Sequence, residues 1–293
     1  MDLKKYRGAF TALITPFKKG KVDFNAFEKM INFQIAGKID GLVPCGSTGE
    51  GMCLTNEEHF ALIEASVSIV NHRVPIIAGI GSNDTLKSVE YAKYAEKIGV
   101  DAIMAVVPYY NRPPQRGIIE HFKTIAEAVK IPVLLYNVPA RTASDIELAT
   151  IMELATTSNI FGIKDASGDL SRVKKYQNNI GKKFIQFCGE DSLVTKYYQD
   201  GGDGVISVIS NIIPTSWAEI FTLSSTSKIK AEEEFNKSKD LLKSLSCETN
   251  PIPIKYALHR MGYCEDEYRL PLVPLLRENR KLIDAELQKL GLI

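Results

Sequence analysis

The sequence is poor in the residues that build metal and disulfide sites. Its five cysteines, Cys45, Cys53, Cys188, Cys247 and Cys264, are scattered and never spaced CxxC. That argues against a disulfide framework and against a zinc site, and the expectation is buried thiols. The four histidines, His59, His72, His121 and His259, make no HxxxH or HExxH pair, so a histidine metal site has no support and surface or packing roles remain. No metal is expected. Neither sign of charge dominates: 36 Lys and Arg stand against 35 Asp and Glu, so no basic field favours nucleic acid or an anionic membrane surface. Small molecules and other protein chains are the expected partners. Long apolar runs are missing too. The opening stretch MDLKKYRGAFTALITPF holds a charged segment and a short mixed apolar run, and no window approaches the ~18 apolar residues of a membrane span. The expectation is a cytoplasmic protein. There is no low-complexity tract, long linker or solenoid repeat.

What is present is a regular alternation along 293 residues, enough chain for two small domains or one large α/β domain. Short runs rich in Val, Ile and Ala alternate with amphipathic stretches. The strand candidates are AFTALITPF from Ala9, GLVPCG from Gly41, PIIAGIG from Pro75, AIMAVVPYY from Ala102, VLLYNV from Val133, IFGIKDAS from Ile160, FIQFCGE from Phe184 and GVISVIS from Gly204. Their near-continuous apolar character suits strands covered on both faces, as in parallel sheets. Between them lie helical patterns such as NAFEKMINFQIAGK and TNEEHFALIEASVSIVN, which open on a capping Asn25 or Thr55, and TNEE reads as a capping box. The pattern predicts an α/β fold, a (β/α)8 TIM barrel over residues 1–225, with a C-terminal helical region over 226–293. From about Ile229 onward the chain reads as all helical. A doubly wound open sheet is the second reading, but the first βα turn, TPFKKGKVD, lacks a GxGxxG fingerprint.

In a barrel the chemistry belongs at the C-terminal strand ends. Those ends carry CGSTGE, PYYNRP, YNVPART, IKDASGD and CGED. Each motif has a plain reading and a functional one. GSTGE suits an ordinary turn before a helix, or backbone N–H groups with the Ser47 and Thr48 hydroxyls around a carboxylate. Tyr136 suits strand packing, or proton relay by a phenol. Arg141, in a Pro-bounded loop, suits solvation, or bidentate capture of a substrate carboxylate. Lys164 alone reads as a solubilising charge at a loop edge. At a barrel mouth with those neighbours it reads differently, because an amine among apolar walls has its charged form disfavoured and, neutral, attacks a ketone. The resulting imine is itself an electron sink, so the scheme needs no metal and no separate cofactor. Asp165 receives no role.

The motifs GSTGE, PYYNRP, YNVPART, GIKDASGD, GVISV and NPIPIKYALHRMG, in order and at matching spacing, resemble the dihydrodipicolinate synthase family. This is a group of pyruvate-dependent class I aldolases that also includes N-acetylneuraminate lyase. Within it, PYYNRP, Arg141 and NPIPIK resemble the synthases rather than the neuraminate lyases. The resemblance implies a Schiff base between Lys164 and pyruvate, with Tyr136 moving protons along that path. Ser47 falls where the synthases usually have threonine in a Tyr-hydroxyl-Tyr relay; the hydroxyl is kept and a methyl is lost. Tyr110 matches the relay's second tyrosine, which in the family reaches across a dimer interface. Thr48 matches a ligand of the pyruvate carboxylate, Ile206 lines the pyruvate pocket, Gly189 supplies a backbone carbonyl and Arg141 receives the carboxylate of L-aspartate 4-semialdehyde.

The implied reaction condenses pyruvate on Lys164, forms an enamine, attacks the aldehyde and closes the ring with release of Lys164. That is the committed step towards diaminopimelate and lysine. The implied assembly is a homotetramer, a dimer of tight dimers. In members inhibited by lysine the effector sits at positions matching Gly51, Met52, Asn56, His59, Asn83, Lys87 and Tyr109. Lys87 stands where inhibited members often place a glutamate facing the effector's ammonium, and a cation there repels it. Weak or absent lysine inhibition is therefore expected. Two other functions remain open: a sister aldolase acting on a 2-keto-3-deoxy sugar acid or N-acetylneuraminate, and a non-catalytic binding barrel in which Lys164 is an ordinary strand-end charge.

Overall fold

A computed structural model describes residues 2–293, and eight parallel strands form its centre. They are β1 Gly8–Ala12, β2 Gly41–Val43, β3 Ile77–Gly79, β4 Ala102–Val106, β5 Val133–Asn137, β6 Ile160–Asp165, β7 Ile185–Cys188 and β8 Gly204–Ser207. Hydrogen-bonded neighbours run β2-β1-β8-β7-β6-β5-β4-β3. A parallel bridge between Leu42 and Ile76 joins the two ends: the Leu42 N–H donates to Pro75 O at 3.0 Å and the Gly79 N–H to Pro44 O at 2.9 Å. The sheet is therefore a closed barrel rather than a doubly wound open sheet, and no strand edge is left free.

Closure explains the unbroken apolar runs, because every strand has two buried faces. One face fills the barrel with side chains such as Phe10, Val43, Met104, Leu134 and Phe187. The other, with Leu42, Ala78, Ile103, Leu135 and Ile163, packs under the helices. Strict alternation fails at one place that matters. Between β5 and β6 the register steps from Val133↔Ile160 to Leu134↔Gly162, one extra residue on β6. Phe161 and Lys164, three positions apart, would face opposite ways on a regular strand. The bulge turns both inward.

The helices of the barrel are α1 Phe24–Ala36, α2 Asn56–Val70, α3 Thr85–Ile98, α4 Gln115–Glu127, α5 Leu148–Leu154, α6 Ser171–Asn179, α7 Val194–Gln199 and α8 Pro214–Thr226. Thr55 and Glu58 form the expected capping box of α2. At α1 the cap is Asp23, whose carboxylate accepts from the Ala26 N–H, not Asn25, which lies inside the first turn. Among the described residues no helix is long and apolar enough to cross a membrane.

Beyond α8 come α9 Lys228–Lys237, α10 Lys239–Ser244, α11 Ile252–Arg260 and α12 Arg277–Lys289. Ser227 separates α8 from α9 and caps the latter, its hydroxyl accepting from the Lys230 N–H. This region is not helical throughout. Residues 261–276 contain no helix, against the expectation of helix throughout from about Ile229. Pro271 and Pro274 each lack an N–H and disfavour helical geometry in the residue before them. The extended stretch lays Arg269 back against the barrel loops and Tyr268 against α11.

Candidate active site

The bulge on β6 and the register of β5 bring two side chains together at the barrel mouth. Tyr136 and Lys164 are register partners on adjacent strands, each only 6% exposed. The Lys164 Nζ lies 4.3 Å from the centre of the Tyr136 ring. On its other flank Lys164 is in register with Phe187 of β7, so the amine stands between an aromatic face and apolar strand walls. These two residues share a cavity of about 140 Å³ with Ser47, Thr48, Arg141, Gly189 and Asn250. Five separate strand ends or segments, that of Lys164 included, thus meet around one amine.

The loop after β2 supplies hydroxyls and amides. Gly49 N–H donates to Gly46 O and Glu50 N–H to Ser47 O, which closes a tight turn. The N–H groups of Ser47 and Thr48 are given no acceptor among the described residues. Free amides beside hydroxyls, in a turn of this kind, form a concavity for an anionic group. Thr48 is buried and its Oγ1 accepts from the Asn250 amide at 3.0 Å.

Arg141 comes from a single helical turn, Pro139–Thr142, directly after β5. The Thr142 hydroxyl, placed to bond with Val138 O and Ser144 O, fixes that turn. The Arg141 guanidinium, part of the cavity lining, donates to Asn250 O at 3.0 Å, and its remaining donors have no acceptor among the described residues. Gly189 packs so tightly that a Cβ there would lie 2.5 Å from the Ala166 Cβ, so the chain can follow the wall only as glycine. Glu190 stands beside it at the mouth. Burial raises its carboxyl above the ordinary value, as does Asp191, while Lys164 and Arg141 act the other way.

Two of the expected site residues do not line this cavity. Ile206 sits deeper, in the inner apolar cluster that also holds Tyr136; Val208, two residues on, is the one in the cavity wall. Tyr110 is 90% exposed at a left-handed φ of 68°, as a side chain that serves a neighbouring subunit's site would be. Asp165, given no role by the sequence, faces outward from β6. It accepts from the Tyr176 hydroxyl at 2.6 Å and from the Ser167 N–H at 2.8 Å, which ties the strand end to α6.

Asn250 is the residue that sequence reading missed. It reaches the cavity from 202 positions away from Thr48, and its Oδ1 is buried without a hydrogen-bond partner among the described residues. Its only signal was its place at the head of NPIPIK.

The expected effector positions fall into four groups. His59 is buried, donates from Nε2 to Gly79 O at 2.9 Å and stacks on Tyr91 with ring centres 4.2 Å apart. The Tyr91 hydroxyl donates to Asn56, and the Lys87 Nζ lies 5.4 Å from the Tyr91 ring centre. Desolvation by burial, with the Lys87 charge adding to it, brings the His59 pKa down to about 4. Met52 pairs with the Tyr109 hydroxyl, and the Asn83 carbonyl accepts from the Asn111 amide. Gly51 is buried where a Cβ would meet Cys45 O at 2.3 Å.

The sequence profile of the Dihydrodipicolinate synthetase family matches residues 5–290. The chain belongs to that family. It is 44% identical over 276 residues to the 4-hydroxy-tetrahydrodipicolinate synthase of Macrococcus caseolyticus, covering 94% of this chain and 93% of that protein. It is also 44% identical over 290 residues to the enzyme of the same name from Bartonella bacilliformis, covering 98% and 99%. Among solved structures, the chloride-inhibited dihydrodipicolinate synthase of Acinetobacter baumannii, complexed with pyruvate, superposes with a TM-score of 0.95 at 40% identity, covering 98% of this chain and 99% of that one. The family has the barrel and the C-terminal helices seen here. Those relatives carry the synthase name, which favours the synthase over the sister aldolases and over a non-catalytic barrel.

Proposed function

We propose that this chain works as a 4-hydroxy-tetrahydrodipicolinate synthase with Lys164 as its nucleophile. The observation that carries the reading is the pairing of Lys164 with Tyr136 in one cavity that Ser47 and Thr48 also line. The pyruvate carboxylate occupies the Ser47–Thr48 turn, which leaves its keto carbon facing the Lys164 amine. Addition gives a carbinolamine; loss of water gives the imine, and loss of a methyl proton gives the enamine. Tyr136 carries those protons with the Ser47 hydroxyl behind it, and the Tyr110 phenol of a neighbouring subunit completes the relay. The enamine carbon attacks the aldehyde of L-aspartate 4-semialdehyde, whose carboxylate is held by Arg141. The amino group of that substrate then displaces Lys164 and closes the ring. The imine is the electron sink, so the scheme calls for no metal or separate cofactor.

The exposed Tyr110 supports an assembly in which each site borrows from its neighbour, and the reading is a dimer of tight dimers working in the cytoplasm. Rates with pyruvate plus L-aspartate 4-semialdehyde, set against cleavage of 2-keto-3-deoxy sugar acids and of N-acetylneuraminate, test the reaction. Turnover confined to the semialdehyde is expected; preferential cleavage of a sugar acid would overturn it.

A further inference from the structure

Behind the cavity wall lies an ion pair with no contact to solvent. Lys255 of α11 and Glu50, which ends the GSTGE turn, meet at 2.5 Å with both side chains fully buried. The second Glu50 oxygen accepts from the Arg269 N–H at 2.9 Å. The Lys255 ammonium lies 4.3 Å from the ring centre of Phe17 and 4.9 Å from that of Tyr268, so aromatic faces satisfy what the carboxylate does not. Glu50 itself is held in the left-handed region at φ 53°, which a side chain other than glycine adopts at a cost.

Stability does not explain such a pair. Taking two charges out of water is costly, and replacing a buried ion pair with apolar side chains of similar volume commonly leaves a protein as stable or more so. What the pair does supply is direction. An apolar contact tolerates sliding, whereas a dry carboxylate–ammonium contact has one geometry. It joins the two segments that make the anion-binding wall: Glu50 is two residues from Thr48, and Lys255, in the first turn of α11, is five residues from Asn250, the residue whose amide donates to Thr48 Oγ1 and whose backbone carbonyl accepts from Arg141.

We propose that Glu50 and Lys255 are positioning residues for the reaction, pinning the GSTGE turn to the Asn250 segment so that Thr48, Asn250 and Arg141 keep one register around the substrate carboxylates. This rests on the pyruvate site proposed above. It assigns work to two side chains that touch neither substrate nor the reacting atoms.

The test is the double variant Glu50→Gln/Lys255→Met, which removes both charges at nearly constant volume. The protein is expected to fold with its melting temperature within a few degrees of the parent, and to form the Lys164 adduct at saturating pyruvate. Its pyruvate KM should rise about tenfold or more, the scale of a displaced charge-assisted contact, with a smaller fall in kcat. Lys255→Arg keeps the charge but changes the reach, and should raise the same KM. Parental KM in either variant, or a double variant that does not fold, overturns the proposal. A parent protein that forms no adduct on Lys164 removes the site reading and the proposal with it; a parental adduct with unchanged variant KM removes the proposal alone.

Discussion

Tyr136 and Lys164 face each other across the β5–β6 ladder as register partners, with the Lys164 Nζ 4.3 Å from the phenol ring centre. A phenol in that position is placed to move protons to and from groups bonded to the amine. Tyr136→Phe keeps the ring and its packing and removes only the hydroxyl. Loss of a positioned acid–base group is expected to lower kcat by about 10²- to 10³-fold, with pyruvate KM changed little. Steady-state kinetics check this. Parental kcat would remove Tyr136 from the relay.

Arg141 is tied to the wall by one hydrogen bond to Asn250 O, which leaves most of its guanidinium available. Arg141→Met should raise KM for L-aspartate 4-semialdehyde by roughly 10- to 100-fold, the worth of hydrogen bonds to a charged group. KM for pyruvate should move much less. Equal rises for both substrates would show that Arg141 serves the wall as a whole rather than the second substrate.

Tyr110, 90% exposed, points to a site shared between subunits. Lys164→Ala and Tyr110→Phe homo-oligomers should each be nearly inactive. Mixed in equal amounts and reassembled, they form hybrid dimers with one site that has both Lys164 and a neighbour's Tyr110. Recovery of about a quarter of parental activity is the statistical expectation for a two-fold interface. No recovery on mixing would place Tyr110 outside the relay.

Lys87 sits over Tyr91, which stacks on the buried His59. A second ammonium brought to this spot meets a like charge. Lysine titration of the activity should show weak or no inhibition below millimolar concentration, and Lys87→Glu should strengthen it. Strong inhibition of the parent by submillimolar lysine would contradict this.

Two buried histidines set an acid limit. Desolvation lowers the pKa of His59 and of His121 to about 4 in the fold, against about 6.5 in an unfolded chain. Between those values the unfolded chain binds more protons, so stability rises with pH. It is fully present above about pH 6.5 and is lost as pH falls towards 4, by at most about 1.4 kcal/mol per pH unit for each histidine. Urea unfolding at pH 7, 6 and 5 measures the slope, and His121→Asn should roughly halve this contribution. A midpoint independent of pH over that range would contradict it.

The barrel was legible because closing a parallel sheet leaves a mark on every strand: a short apolar run, then a polar cluster where the loop begins. That placed Lys164, Tyr136, Ser47 and Arg141 at one end of the fold before any geometry was known. The facing of Lys164 was not legible, since it depends on a bulge that nothing in IFGIKD announces. Neither was Asn250, whose contact with Thr48 joins positions far apart in the chain. Asn25 and Asp23 are both good caps, and local sequence alone does not choose between them. PLVPLL is apolar enough for a helix, but its two prolines outweigh that pattern. Ile206 follows the family's motif, yet in this chain Val208 reaches the cavity.

Everything rests on Lys164 as the nucleophile, and one measurement addresses it directly. The protein is incubated with pyruvate, reduced with borohydride, digested and analysed by mass spectrometry. A single reduced pyruvate adduct per chain, on the peptide carrying Lys164 and absent from Lys164→Ala, is the predicted result; no adduct, or an adduct on another lysine, would contradict the account.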